Sequence, residues 1–162
     1  MAVSTTQSIW RSGGGDQTRT AYCGSGVMAA KFYFSATQAS GNALNASGGV
    51  PVILPAGAVI VEIQANGAAT GGTDPTFDMG YTLYSSGTAT ADGLLNEADA
   101  NAGKQVLNWA SATAGTAMGG VMSATEMVYI TGRKGASAPT GGSISGTILY
   151  YVTDPYAGQQ NV

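Results

Sequence analysis

The sequence predicts an all-β chain: a jelly-roll-like antiparallel β-sandwich with one short helix and an extended N-terminal arm. Three observations carry this. Apolar and polar residues alternate with period two in several short segments rich in Val, Ile, Tyr and Thr. Clusters of Gly, Ser, Thr and Asn separate those segments at short intervals. No strand pattern alternates with a long amphipathic helix, which excludes the α/β classes. The 162 residues suit a single domain, read as an arm over 1–25, a sandwich over 26–154 and a polar tail over 155–162.

Residues 1–25 contain Gly13-Gly14-Gly15, many hydroxyl side chains and only scattered apolar ones: Val3, Ile9, Trp10 and Tyr22. Such a segment buries too little surface to offset its own ordering entropy. Trp10 has two readings: it folds back on its own domain, or it anchors in another chain. Trp and Arg are the commonest interface anchors, so Trp10, Arg11, Arg19 and Tyr22 are the expected partner contacts.

Residues 27–34 (VMAAKFYF) read as the first strand, and the small polar residues 35–49 as a loop. Residues 50–54 lead into the turn Pro55-Ala56-Gly57. Residues 58–65 (AVIVEIQA) give the clearest alternation, with Val59, Val61 and Ile63 opposed to Ile60, Glu62 and Gln64. Asn66-Gly67 and Gly71-Gly72 bracket a loop. Residues 76–84 place Phe77, Met79, Tyr81 and Leu83 on one face. Residues 93–102 (GLLNEADANA) are the expected helix, capped by Asp92, stopped by Gly103, with Leu94, Leu95 and Ala98 as its apolar patch. Residues 105–109, 126–131 and 143–153 complete the strands, with Gly146 as a candidate bulge. The expected core draws on Val59, Val61, Ile63, Phe77, Met79, Leu83, Val128, Ile130, Ile148 and Tyr150.

Composition then excludes function classes. The chain has no His and one Cys, Cys23, so Ser-His-Asp and Cys-His catalysis, a Cys₄ zinc site and a CxxC redox pair are out. Net charge is −3, which offers no basic face to nucleic acid. No apolar run reaches the roughly eighteen residues of a membrane-spanning helix, and the first residues lack the pattern of a secretion signal. No phosphate-cradling glycine motif and no cofactor signature occurs. Only 9% of residues are charged, against about 25% in ordinary soluble domains. A surface so poor in charge suits a molecule that is normally covered by copies of itself or by a partner.

Three clusters resemble sites. Glu97 and Asp99 could offer oxygens to calcium, but the glycine and bidentate glutamate of a calcium loop are missing, so a solvated helix face is the better reading. Asp74 and Asp78, four apart and flanking Pro75, could form a paired-carboxylate site of the glycosidase kind. Asp74 before proline is equally a turn-former, and no shaped cleft is visible. Tyr81/Tyr84 and Tyr150-Tyr151 could stack on sugars. Adjacent tyrosines on a strand face opposite ways, which favours packing.

Four short motifs in order then suggest a family. The run from Leu54 to Ile63 (LPAGAVIVEI) resembles a strand of small structural proteins of tailed phages, marine and cyanobacterial ones especially. Phe77-Asp78-Met79-Gly80, Asp92-Gly93-Leu94-Leu95 followed by Ala98-Asp99, and residues 142–152 resemble later segments of the same proteins. The resemblance covers about residues 50–153. It implies a non-enzymatic virion protein present in many copies. The role expected first is a capsid decoration (cement) protein, made in the host cytoplasm and seated on the outer surface of the head. Its partners would be the major capsid protein and copies of itself, most simply as a homotrimer. The alternative is a carbohydrate-binding head of a tail or head fibre. A polysaccharide depolymerase using Asp74 and Asp78 comes last.

Overall fold

A computed structural model describes residues 26–39, 42–43 and 52–153, and every regular element among them is a β-strand. In chain order these are β1 (Met28–Ser35), β2 (Asn42–Ala43), β3 (Ile53–Leu54), β4 (Ala58–Thr70), β5 (Thr76–Leu83), β6 (Ala89–Asp99), β7 (Gly103–Asn108), β8 (Val128–Lys134) and β9 (Gly141–Val152). One sheet has the order β1-β9-β4-β7. The other has the order β2-β8-β5-β6, with β3 also paired to β8. Every pairing is antiparallel. Strands β2 and β3 share one position beside β8. Each sheet then holds four positions, and the chain crosses between sheets as in a jelly roll. The expected arm with Trp10, Arg11, Arg19 and Tyr22, and the expected tail, lie outside the described residues.

The core lies between the sheets. Phe32, Phe34, Ile60, Ile63, Leu107, Ile144 and Ile148 from the first meet Leu54, Phe77, Met79, Leu94, Leu95, Val128 and Ile130 from the second. Phe34 meets Phe77 edge-on, with ring centroids 6.1 Å apart. The segment between β7 and β8 closes one side. It bonds to β6 through Gly115 N–H to the Leu94 carbonyl (2.9 Å) and to β4 through Gly119 N–H to the Ile60 carbonyl (3.1 Å), and it sinks Met118 and Met122 into the core.

Several local expectations are corrected. Residues 93–102 are not a helix: most of them belong to β6, and Gly103, at φ 66°, starts β7. The register of β6 against β5 breaks twice. Asn96 and Glu97 both stand opposite Asp78, and residues 91–94 stand opposite Gly80. These bulges turn Leu94, Leu95 and Ala98 inward together, a spacing that imitates one face of a helix. A bulge also interrupts β4, where Ile60 faces Tyr150 and Glu62 faces Leu149, so Val61 is the extra residue. Ile60 therefore joins the core and Val61 is exposed, reversing their expected places. Val59 is buried, yet outside the main core cluster. Leu83 and Tyr150 are only partly buried. Asn66-Gly67 is not a loop, because β4 runs on to Thr70. Gly146 is not a bulge: β9 keeps register through it. Glycine is required there because a Cβ would meet the Phe32 ring at 2.8 Å and the Gln64 carbonyl more closely still.

Candidate functional site

The expected carboxylate pair separates on folding. Asp74 is exposed in the turn after β4, at φ 48°, whereas Asp78 is buried in mid-strand. One Asp78 oxygen, Oδ2, accepts both Nε (2.9 Å) and Nη2 (2.8 Å) of Arg133 from β8. The other, Oδ1, accepts the Glu97 N–H at 2.9 Å. Glu97 sits at φ 55° in the β6 bulge, and its carboxylate accepts the Thr76 hydroxyl and the Ala136 N–H (2.7 Å). Asp99 caps its own turn by accepting the Asn101 N–H at 2.7 Å. These groups clamp β5, β6, β8 and the following loop together. They form neither a carboxylate dyad nor a calcium cage, and no cluster of metal-ligating side chains occurs among the described residues.

The clamp marks one end of the sandwich as the charged end. Asp74, Asp78, Glu97, Asp99, Lys104, Arg133 and Lys134 all lie there, on the loops and strand ends that follow β4, β6 and β8. The remaining charged side chains in the described residues are Lys31, Glu62, Asp92 and Glu126.

The opposite end is apolar. It is built from the start of β1, β4 and β8, the end of β5 and β9, and the segments 84–88 and 109–127. Of the exposed large apolar side chains among the described residues, only Tyr33 and Val106 lie elsewhere. On the side of the second sheet, Ile53 and Met127 are exposed beside Tyr84, which stacks on Tyr129 with centroids 5.3 Å apart. The stack uses Tyr84 with Tyr129, not with Tyr81 as the sequence suggested, and Tyr129 joins because its register partner on β5 is Thr82, two residues before Tyr84. Burial raises the Tyr129 phenol above its ordinary value of 10.0, assisted by Tyr84.

On the side of the first sheet, the end is dominated by Trp109, 72% exposed. The turn after β7 holds it: Asn108 N–H donates to Ser111 Oγ, Ala110 N–H to Asn108 Oδ1 and Ser111 N–H to the Asn108 carbonyl, each at 2.9 Å. Gly119, at φ 79°, lies under the indole, where a Cβ would come within 3.2 Å of the Trp109 Cβ. Val61, extruded by its bulge, and Val121, bridged to Val59, are also exposed here. Sequence reading passed over Trp109 because it stood at the end of a weak strand pattern. Its one signal was a Trp followed by a long run of small residues.

Glu126 ties two loops of this end, accepting the Ser85 N–H at 2.6 Å and the Ser85 hydroxyl. The Ser85 hydroxyl and then its amide hold the carboxyl below its ordinary value of 4.5. A depressed carboxyl contributes fully above its unfolded value and is lost as pH falls through the lowered one. The protection factor of the Ser85 amide in hydrogen exchange is therefore expected to be flat above pH 4.5 and to fall below it. Glu126→Gln should flatten the profile.

No family model matches the sequence, and no curated protein matches it. Among solved structures, the capsid of Ralstonia phage GP4 is similar, with a TM-score of 0.47, 14% identity, and coverage of 80% of this chain and 86% of that one.

Proposed function

We propose that this chain is a non-enzymatic structural protein of a tailed-phage virion: a capsid decoration protein that sits on the outer shell in many copies and ties its units together. The observation that carries the reading is the segregation of the surface. Among the described residues, eight of the ten exposed large apolar groups gather at one end and seven of the eleven charged groups at the other, and Glu126 at the apolar end is engaged by Ser85. A molecule free in solution gains nothing from an end bearing exposed Trp109, Tyr84, Met127 and Ile53. A molecule seated on a protein surface buries that end and turns the charged end to water. Both flanks of the described chain, Gly26 and Thr153, also lie at the apolar end, because Met28 pairs with Tyr150 and Val152 with Ala58. Gly26, where residues 1–25 join the sandwich, is therefore beside the seat. In this reading Trp10, Arg11, Arg19 and Tyr22 contact a neighbouring chain, and the copies form a trimer on the major capsid protein.

Each contact need only be modest, since a standard interface buries about 1,600 Å² and a virion repeats it many times. The test is occupancy on particles assembled without the protein. The full chain should saturate the shell in hundreds of copies, where a fibre head would add a few dozen at most. Met127→Asp and Tyr84→Asp should lower the affinity by roughly tenfold or more. Lys104→Glu, at the charged end, should bind as the unaltered chain does. Equal loss from both ends, or no saturation at all, would remove the seat from the apolar end.

A further inference from the structure

We propose that the corner formed by Val61, Trp109 and Val121 receives the Ile9-Trp10 stretch of a second copy of this chain, so that copies link head to tail into a closed ring. This rests on the many-copy reading above and names the partner of one corner of the apolar end, leaving the Tyr84 side for the shell.

The first argument is preorganisation. Trp109 stands on a turn fixed by three hydrogen bonds among Asn108, Ala110 and Ser111, with Gly119 beneath it, so the backbone that presents the indole is already ordered when a partner covers it. Two exposed valines flank it, which is the arrangement of an aromatic anchor with an apolar rim.

The second argument is position. In the first sheet the order is β1-β9-β4, and β4 is bordered beyond by β7 and, through the Val59–Val121 bridge, by the segment around Val121. Gly26 thus stands at one edge of that sheet, and Trp109 at the other. Donor and acceptor on opposite edges join copies head to tail, and such contacts close as a ring when the rotation between copies allows it, two copies exchanging stretches being the smallest case.

The third argument is length. Within one copy, three strand spacings of about 4.8 Å separate Gly26 from the Trp109 edge, a path of about five extended residues. Seating Ile9-Trp10 on the same copy's patch would need roughly a dozen intervening residues to loop out, whereas a neighbouring copy can take the stretch extended. From a neighbouring copy, the stretch between Trp10 and Gly26 spans up to about 50 Å. That exceeds the roughly 35 Å diameter of a domain of this size, so Trp10 reaches the next Trp109.

The test uses two full-length variants in sedimentation velocity, without particles. Trp10→Ala keeps the acceptor corner, and Trp109→Ala keeps the donor stretch. Unaltered chain should run as a ring. Each variant alone should associate at least roughly thirtyfold more weakly and run as a monomer with an unchanged circular dichroism spectrum. Mixed, the variants should pair one to one, since one good donor and one good acceptor remain and the ring cannot close. A monomeric full chain, a Trp109→Ala chain that keeps the ring mass, or a mixture that stays monomeric would overturn the inference. A chain that is monomeric in solution yet saturates particles overturns the ring alone. A chain that forms the ring yet ignores particles overturns the decoration reading alone.

Discussion

Replacing Arg133 with methionine is expected to lower the unfolding free energy by about 3–5 kcal/mol, the range for removing one partner of a buried ion pair. The reason is asymmetric burial. Asp78 is shut off from water, while Arg133 is about one-third exposed. Without Arg133 the carboxylate keeps only the Glu97 N–H and must stay charged in a poor solvent or take up a proton. Asp78→Asn should cost less. Its amide oxygen can still accept from Glu97, and the released guanidinium can turn toward solvent. Urea unfolding at neutral pH gives the order of the two. Arg133→Met with the midpoint of the unaltered chain, or less harmful than Asp78→Asn, would show that the clamp is not a stability element.

The second large effect contrasts two aromatic residues. Phe77→Ala should destabilise by about 3–5 kcal/mol, because the ring is fully buried and its loss leaves a cavity against Phe34 and the other sheet. Trp109→Ala should change the stability of a single copy by no more than about 0.5 kcal/mol, as surface truncations do, when both chains are compared at a concentration where copies stay apart. Thermal unfolding of both variants checks this at once. A Trp109→Ala chain as unstable as Phe77→Ala would make the indole part of the core and withdraw it as an anchor.

Strands were legible where each residue has one partner across the sheet. Strand β5 keeps an unbroken register on β8, and Phe77 and Met79 are buried on the face where period two places them. It failed where the ladder is irregular. One extra residue at Val61 exchanges the faces of Ile60 and Val61. The two bulges of β6 turn a strand into a sequence with helical spacing. Bulges answer to the partner strand, which the local sequence does not contain.

The site was less legible for the same reason. The turn at Asp74-Pro75 is a local matter and was read. The Asp78–Arg133 pair joins residues 55 apart, and only the register of β5 on β8, with Asp78 opposite Arg133, brings them together. Low charge suggested a covered molecule and left open where a partner would sit. The seat proposed above rests on the topology that sends the charged loops to one end and the apolar ones to the other.

The pairing of β1 with β9 also decides how the molecule answers to force. Met28 lies opposite Tyr150, so tension applied between Gly26 and Thr153 opens that ladder from its tip, one residue pair after another. Tension from the apolar end to the charged end runs along the strands, and all eight β1–β9 pairs resist it together in shear, beside the longer β4–β9 ladder. A copy gripped at its apolar end is therefore weak against having its two flanks pulled apart and strong against being stretched away from what it sits on.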